Sequence, residues 1–110
     1  MLRALKTLVV ALACWAGLRA ADFDTVVVPV LSNSCRACHS NRGAAGGLDI
    51  AQFLVPSSIL SLREEWEVIL KKLRSGQMPP RNSPRPPQEK IDAVIDHVEG
   101  ELERADRGKK

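Results

Sequence analysis

Apolar positions along this chain fall into four runs with different spacings. The first, Thr7-Leu8-Val9-Val10-Ala11-Leu12-Ala13-Cys14-Trp15-Ala16, is continuous rather than periodic. It follows a basic opening that holds Arg3 and Lys6, and it precedes small residues at Gly17, Ala20 and Ala21. That order is the order of a secretory signal peptide. The run is shorter than the roughly 20 apolar residues that a membrane-spanning helix needs. An uncleaved anchor, or a lipoprotein acylated at Cys14, is the alternative reading.

The second run lies in residues 22–34 and holds Phe23, Val26, Val27, Val28, Val30 and Leu31. It is read as a short helix with Pro29 near its first turn, where a missing N–H is tolerated. Propensity alone would make the valines a strand. The third run, SLREEWEVILKKLRS at 61–75, places Leu62, Trp66, Ile69, Leu70 and Leu73 on one helical face. Ser61 with Glu64 fits a capping box, acids crowd the first turns and bases the last, and Gly76 supplies the stop. The fourth, at 88–105, repeats the pattern with Ile91, Val94, Ile95, Val98 and Leu102, weakened slightly by Gly100. His97 lies one position off this stripe and reads as a surface histidine. Between the runs, SNRGAAGGLDI is loop-like and residues 51–58 are ambiguous, with Pro56 limiting any helix. GQMPPRNSPRPP, at 76–87, has five prolines and excludes helix or central strand.

A length of 110 residues suggests one domain. The expected organisation is a signal peptide at 1–20, a single domain at 21–105 and a basic tail at 106–110. Removing the leader takes away Arg3, Lys6 and Arg19, and the remainder balances 13 bases against 13 acids. The pI near 9.0 therefore belongs to the precursor, and nothing points to nucleic acid. Some 90 residues make a small apolar core, one that a bound cofactor would help to fold.

The chain has three cysteines and two histidines, and three of these five residues stand within Cys35-Arg36-Ala37-Cys38-His39. A disulfide between Cys35 and Cys38 would close too small a loop to restrain the unfolded chain much. Zinc normally takes four nitrogen or sulfur ligands, and only His97 follows residue 39. A thioredoxin-like pair expects a βαβ setting. The C-x-x-C-H pattern indicates c-type haem attachment directly. Cysteines three apart lie on one side of a helical turn, each thiol can add to one porphyrin vinyl group, and His39 can then reach the iron. Thiols exported from the cytoplasm also tend to oxidise unless they are used.

The second candidate ligand is Met78, the only methionine after the initiator. It stands in Gly76-Gln77-Met78-Pro79-Pro80, directly after the Trp66 helix. A thioether favours ferrous iron, and the prolines lower the entropy lost in presenting it. The competing reading is core filler.

On these residues the chain resembles class I cytochromes c, and more narrowly the cytochrome c domain of planctomycete-type multidomain proteins. Phe23 to Leu31 lead into CRACH. Gly46-Gly47-Leu48-Asp49 follows, then the Trp-bearing EWEVILKKLRSGQMPP, then RPPQEKIDAVIDHVEGEL. The resemblance implies an all-α fold, a small cytochrome c-like helical domain wrapped around one covalently bound haem c. It implies Cys35 and Cys38 as thioether partners and His39 and Met78 as axial ligands. The aromatic residue that relatives often carry on the last helix, packed on the first, is missing; Ile95, Val98 and Leu102 stand there instead.

The expected function is single-electron transfer by an exported, periplasmic monohaem cytochrome, or a membrane-anchored one if the leader stays. Its partners would be a redox donor and acceptor and the cytochrome c maturation machinery, with no nucleic acid and no stable membrane insertion after cleavage. Arg36, Arg42, Arg81 and Arg85 flank the motifs and would ring the haem edge, pair with its propionates or simply be solvated. Trp66 reads as core against the porphyrin. The alternatives are a haem module of a larger oxidoreductase or peroxidase-like enzyme, and a structural module without haem.

Overall fold

The computed structural model describes residues 22–36, 38–39 and 45–109. Residues 1–20, expected above to be a signal peptide, and Ala37, Arg42, Gly43 and Lys110 lie outside the described residues. The fold is mostly helical and has no strand among the described residues.

Helix α1, residues 23–35, is one helical path of mixed winding: Phe23–Val27 and Leu31–Cys35 follow the wider i→i+5 pattern, and Val28–Val30 is α-helical. Pro29 falls in the first turn of the α-helical stretch, where its missing N–H is tolerated. Just before it, the Val28 N–H reaches back five residues to the Phe23 carbonyl. The valines do not form a strand, because the helix satisfies its own backbone groups and needs no neighbouring strand. It also puts Phe23, Val27, Val30 and Leu31 on one buried face.

After the loop, the turns Ala45–Gly47 and Ile50–Phe53 lead to a short helix, α2, at Ser58–Ser61. Helix α3 follows at Arg63–Ser75 and α4 at Gln88–Arg107. The capping box expected at Ser61 does not form. Leu62 breaks the path (φ −118°, ψ 41°) and Ser61 ends α2, its hydroxyl donating to the Ser57 carbonyl at 3.1 Å. Ser61 is thus used in the preceding turn and is one residue too early to cap α3. Gly76 does stop α3, in a left-handed conformation (φ 76°). Residues 76–87 contain no helix or strand.

Helix α4 packs against the first half of α1, against α2 and against α3. All five residues of its stripe are buried. On α3, Trp66, Leu70 and Leu73 are buried and Ile69 is half-buried at the core's margin, as is Leu62 just before the helix. Trp66 is fully enclosed. Its indole N–H donates to the Ser58 hydroxyl at 2.9 Å, and that hydroxyl donates to the Phe53 carbonyl at 3.4 Å. Phe53 meets the indole edge-on at 5.6 Å between ring centres, a geometry worth about 0.5–1.5 kcal/mol beyond burial. Outside the core, Arg63 grips Asp106 through two bonds of 2.7 and 2.8 Å, and Arg74 pairs with Glu99. These pairs tie α3 to α4 with the chains running in opposite senses.

His97 is not a simple surface residue. It is half-buried, with its ring 6.0 Å from that of Phe23. The last helix therefore does bring a ring onto the first, by an imidazole one position away from the apolar stripe.

Candidate haem site

Leu31–Cys35 packs against Ile50–Phe53, and this contact carries the end of α1 to the edge of the core. Cys35 is half-buried against that core, and Cys38 is exposed. Beyond Cys35 the chain turns, with the N–H groups of Cys38 and His39 both donating to the Cys35 carbonyl, at 3.3 and 3.0 Å. Both cysteines are free thiols. Burial, with Cys38 nearby as the lesser cause, pushes the Cys35 thiol up to about 11.

His39 is half-buried, and its main chain is held from two directions. Its N–H is bonded to Cys35, and its carbonyl accepts the Ile50 N–H at 2.7 Å. The second bond depends on how the chain returns. Gly46 and Gly47 both take positive φ (66° and 73°), which side chains with a Cβ adopt only under strain. Asp49 then accepts the Ala51 N–H at 3.2 Å and starts the turn that presents Ile50. The Gly-Gly-Leu-Asp segment therefore has a local mechanical role: it closes the loop back onto His39.

Met78 comes from a different element. It is half-buried, and its N–H donates to the Lys72 carbonyl at 3.2 Å, inside the last turn of α3. The Gly76 N–H bonds the Leu73 carbonyl at 3.3 Å, and the Gln77 N–H reaches the Ser75 hydroxyl at 3.4 Å. Beyond Met78, Pro79 is buried, and the Ser83 N–H closes a turn on the Pro80 carbonyl at 3.0 Å. Arg85 then donates to the Pro79 carbonyl at 3.2 Å. Cys35 packs on the same apolar cluster that Leu70 and Leu73, on the helix leading to Met78, help to build. This shared core is the link between the two halves of the candidate site.

Of the arginines expected around the site, Arg36, Arg81 and Arg85 are exposed, and Arg85 is engaged with its own loop. Among the described residues no three His, Cys, Asp or Glu side chains gather in a group able to hold a metal ion. The donors present are two thiols one helical turn apart, an imidazole on the next residue and a thioether on a separate braced loop. That set fits haem c, which takes two thioether links and one or two axial ligands.

The sequence reading missed three contacts: Ser58 beneath Trp66, His97 on Phe23 and Arg85 on Pro79. Only the first had a usable signal, because a buried indole N–H needs an acceptor and Ser58 lies two turns upstream. No helix among the described residues is long and apolar enough to cross a membrane. No protein-family model, curated protein or solved structure matches the chain.

Proposed function

We propose that this chain is an exported monohaem c-type cytochrome that passes single electrons between redox proteins. The observation that carries the reading is the turn from Cys35 to His39. Two free cysteines stand one turn apart at the margin of an apolar core, followed at once by a histidine whose main chain is held at both its N–H and its carbonyl. When bound, haem c supplies an iron that alternates between ferric and ferrous states. Cys35 and Cys38 would hold it by thioether bonds, and His39 and Met78 would ligate the iron. A sulfur ligand of this kind raises the reduction potential.

The chain's own contribution is rigidity. A turn closed by backbone bonds and a loop braced on α3 keep the ligating side chains in place, so little rearrangement need accompany a change of one electron. The buried core behind Cys35 keeps water away from one side of the site. Electron transfer requires nothing more of the protein than this holding and shielding, together with an approachable surface.

Expression in a strain able to mature cytochromes c tests the reading. The product should be coloured and should gain the mass of one haem, retained under denaturing conditions. A colourless product of unmodified mass would overturn it. Met78→Ala should keep the haem, lose the six-coordinate low-spin spectrum and fall in potential, whereas an unchanged spectrum would remove Met78 from the site. A high-spin ferric spectrum in the unmutated protein, with peroxide turnover, would favour the enzymatic alternative.

A further inference from the structure

Arginines beside a redox centre invite a reading as docking charges, yet the side chain of Arg85 is directed at its own chain. It reaches back six residues and donates to the carbonyl of Pro79, the residue after Met78. Pro79 is buried although its neighbours Pro80 and Arg81 are exposed, so this carbonyl lies where solvent access is restricted. On the other side of Met78, the residue's own N–H is bonded to Lys72 O in α3. Met78 therefore stands between two fastenings, one to a helix end and one to a guanidinium.

We propose that Arg85 is the positioning residue for the Met78 thioether, holding the 76–85 loop closed so that sulfur stays on the iron in competition with outside ligands. This rests on the reading of Met78 as a ligand. The physical argument is one of preorganisation. Residues 76–87 have no ladder or helix of their own to fix them, so the loop's order comes from its prolines and from a small number of hydrogen bonds. Pro79 and Pro80 have no N–H, and they restrict φ without adding any donor. The Arg85 bond is the one that spans the turn after Met78 and ties its far end to its near end. Releasing it leaves the Lys72 bond as the neighbouring anchor and lets the sulfur exchange more readily for a solvent ligand. A hydrogen bond made by an exposed side chain such as this one is worth roughly a two- to tenfold change in such an equilibrium.

The test uses the mature, haem-loaded chain and two readouts. The first is titration of the ferric protein with imidazole. The second is amide hydrogen exchange at Met78, which reports the loop itself. Arg85→Ala should bind imidazole several-fold more tightly and exchange the Met78 amide several-fold faster. Arg85→Lys, which keeps a single donor, should recover part of both effects. Arg81→Ala, a nearby exposed arginine, should change neither. If Arg85→Ala matched the unmutated protein in both readouts, the assignment would be overturned. If Arg81→Ala shifted imidazole binding equally, lost positive charge rather than positioning would be the cause, and that result too would overturn it. Failure of the underlying reading gives a different signature: Met78→Ala would then leave the spectrum unchanged, while the exchange measurement would still report whether Arg85 fastens the loop.

Discussion

The turn that carries His39 and the loop that carries Met78 are held in different ways. His39 is fixed by main-chain bonds at both its N–H and its carbonyl, to Cys35 and Ile50. Met78 has one main-chain bond, to the end of α3, and its second brace is a side chain from further along the loop. Backbone bonds of the first kind persist through most substitutions, because any residue but proline supplies them. A brace made by a side chain is lost with a single residue. A cofactor tethered through the first region and ligated through the second would thus be permanently attached on one side and adjustable on the other.

The most severe way to break this comparison is through the core that both regions share. Trp66→Ala removes the largest enclosed side chain and leaves Ser58 without its indole donor. Such a truncation costs about 3–5 kcal/mol. In a domain this small, urea denaturation should show the whole fold weakened and both regions loosened together.

Two glycine substitutions should separate the regions. Gly47→Ala and Gly76→Ala each force a Cβ into a positive-φ position where nothing else crowds it, so strain alone sets the cost, about 1–2 kcal/mol each. Gly47→Ala should speed amide exchange at Ile50 and leave Met78 unaffected. Gly76→Ala should do the reverse. Equal effects on both amides would show that the two regions open as one unit.

Within the first region the two cysteines should differ before haem is attached. Cys35 is half-buried with its thiol pushed up to about 11, and Cys38 is exposed. In the haem-free chain near neutral pH, an alkylating reagent should modify Cys38 faster by about tenfold or more. The gap should narrow as the pH rises towards 11. Equal rates read by peptide mass mapping would contradict the placement of Cys35 against the core.

The smallest effect belongs to a contact remote from both regions. The Arg63 guanidinium holds the Asp106 carboxyl below its ordinary range. Because the folded value is the lower one, this contribution is complete above the ordinary carboxylate range and disappears as the pH falls through the folded value. Asp106 is exposed and Arg63 is partly exposed, so the pair is well screened and adds little. Asp106→Asn should flatten the acid end of the stability profile slightly, as followed by thermal melts from pH 7 down to pH 3, and should leave the Ile50 and Met78 amides unchanged.

Much of this was legible in the sequence because it is local. The stripes of α3 and α4, the stop at Gly76 and the irregular 76–87 loop follow from periodicity, glycine and proline chemistry acting within a few residues. So does the crowding of Cys35, Cys38 and His39 into one turn, since five consecutive residues cannot be far apart. One failure was a near miss of the same local kind: Ser61 reads as a cap for the long helix but ends the short one before it.

What the sequence could not decide was which distant groups meet. That Ile50 closes on His39, that Ser58 takes the indole proton of Trp66, that His97 supplies the ring resting on Phe23 and that Arg85 turns inward to Pro79 all depend on how the helices pack. Residue type and spacing limit each side chain to a set of directions. The burial of the common core selects one direction from each set, because only one arrangement encloses the apolar faces while leaving the backbone groups paired.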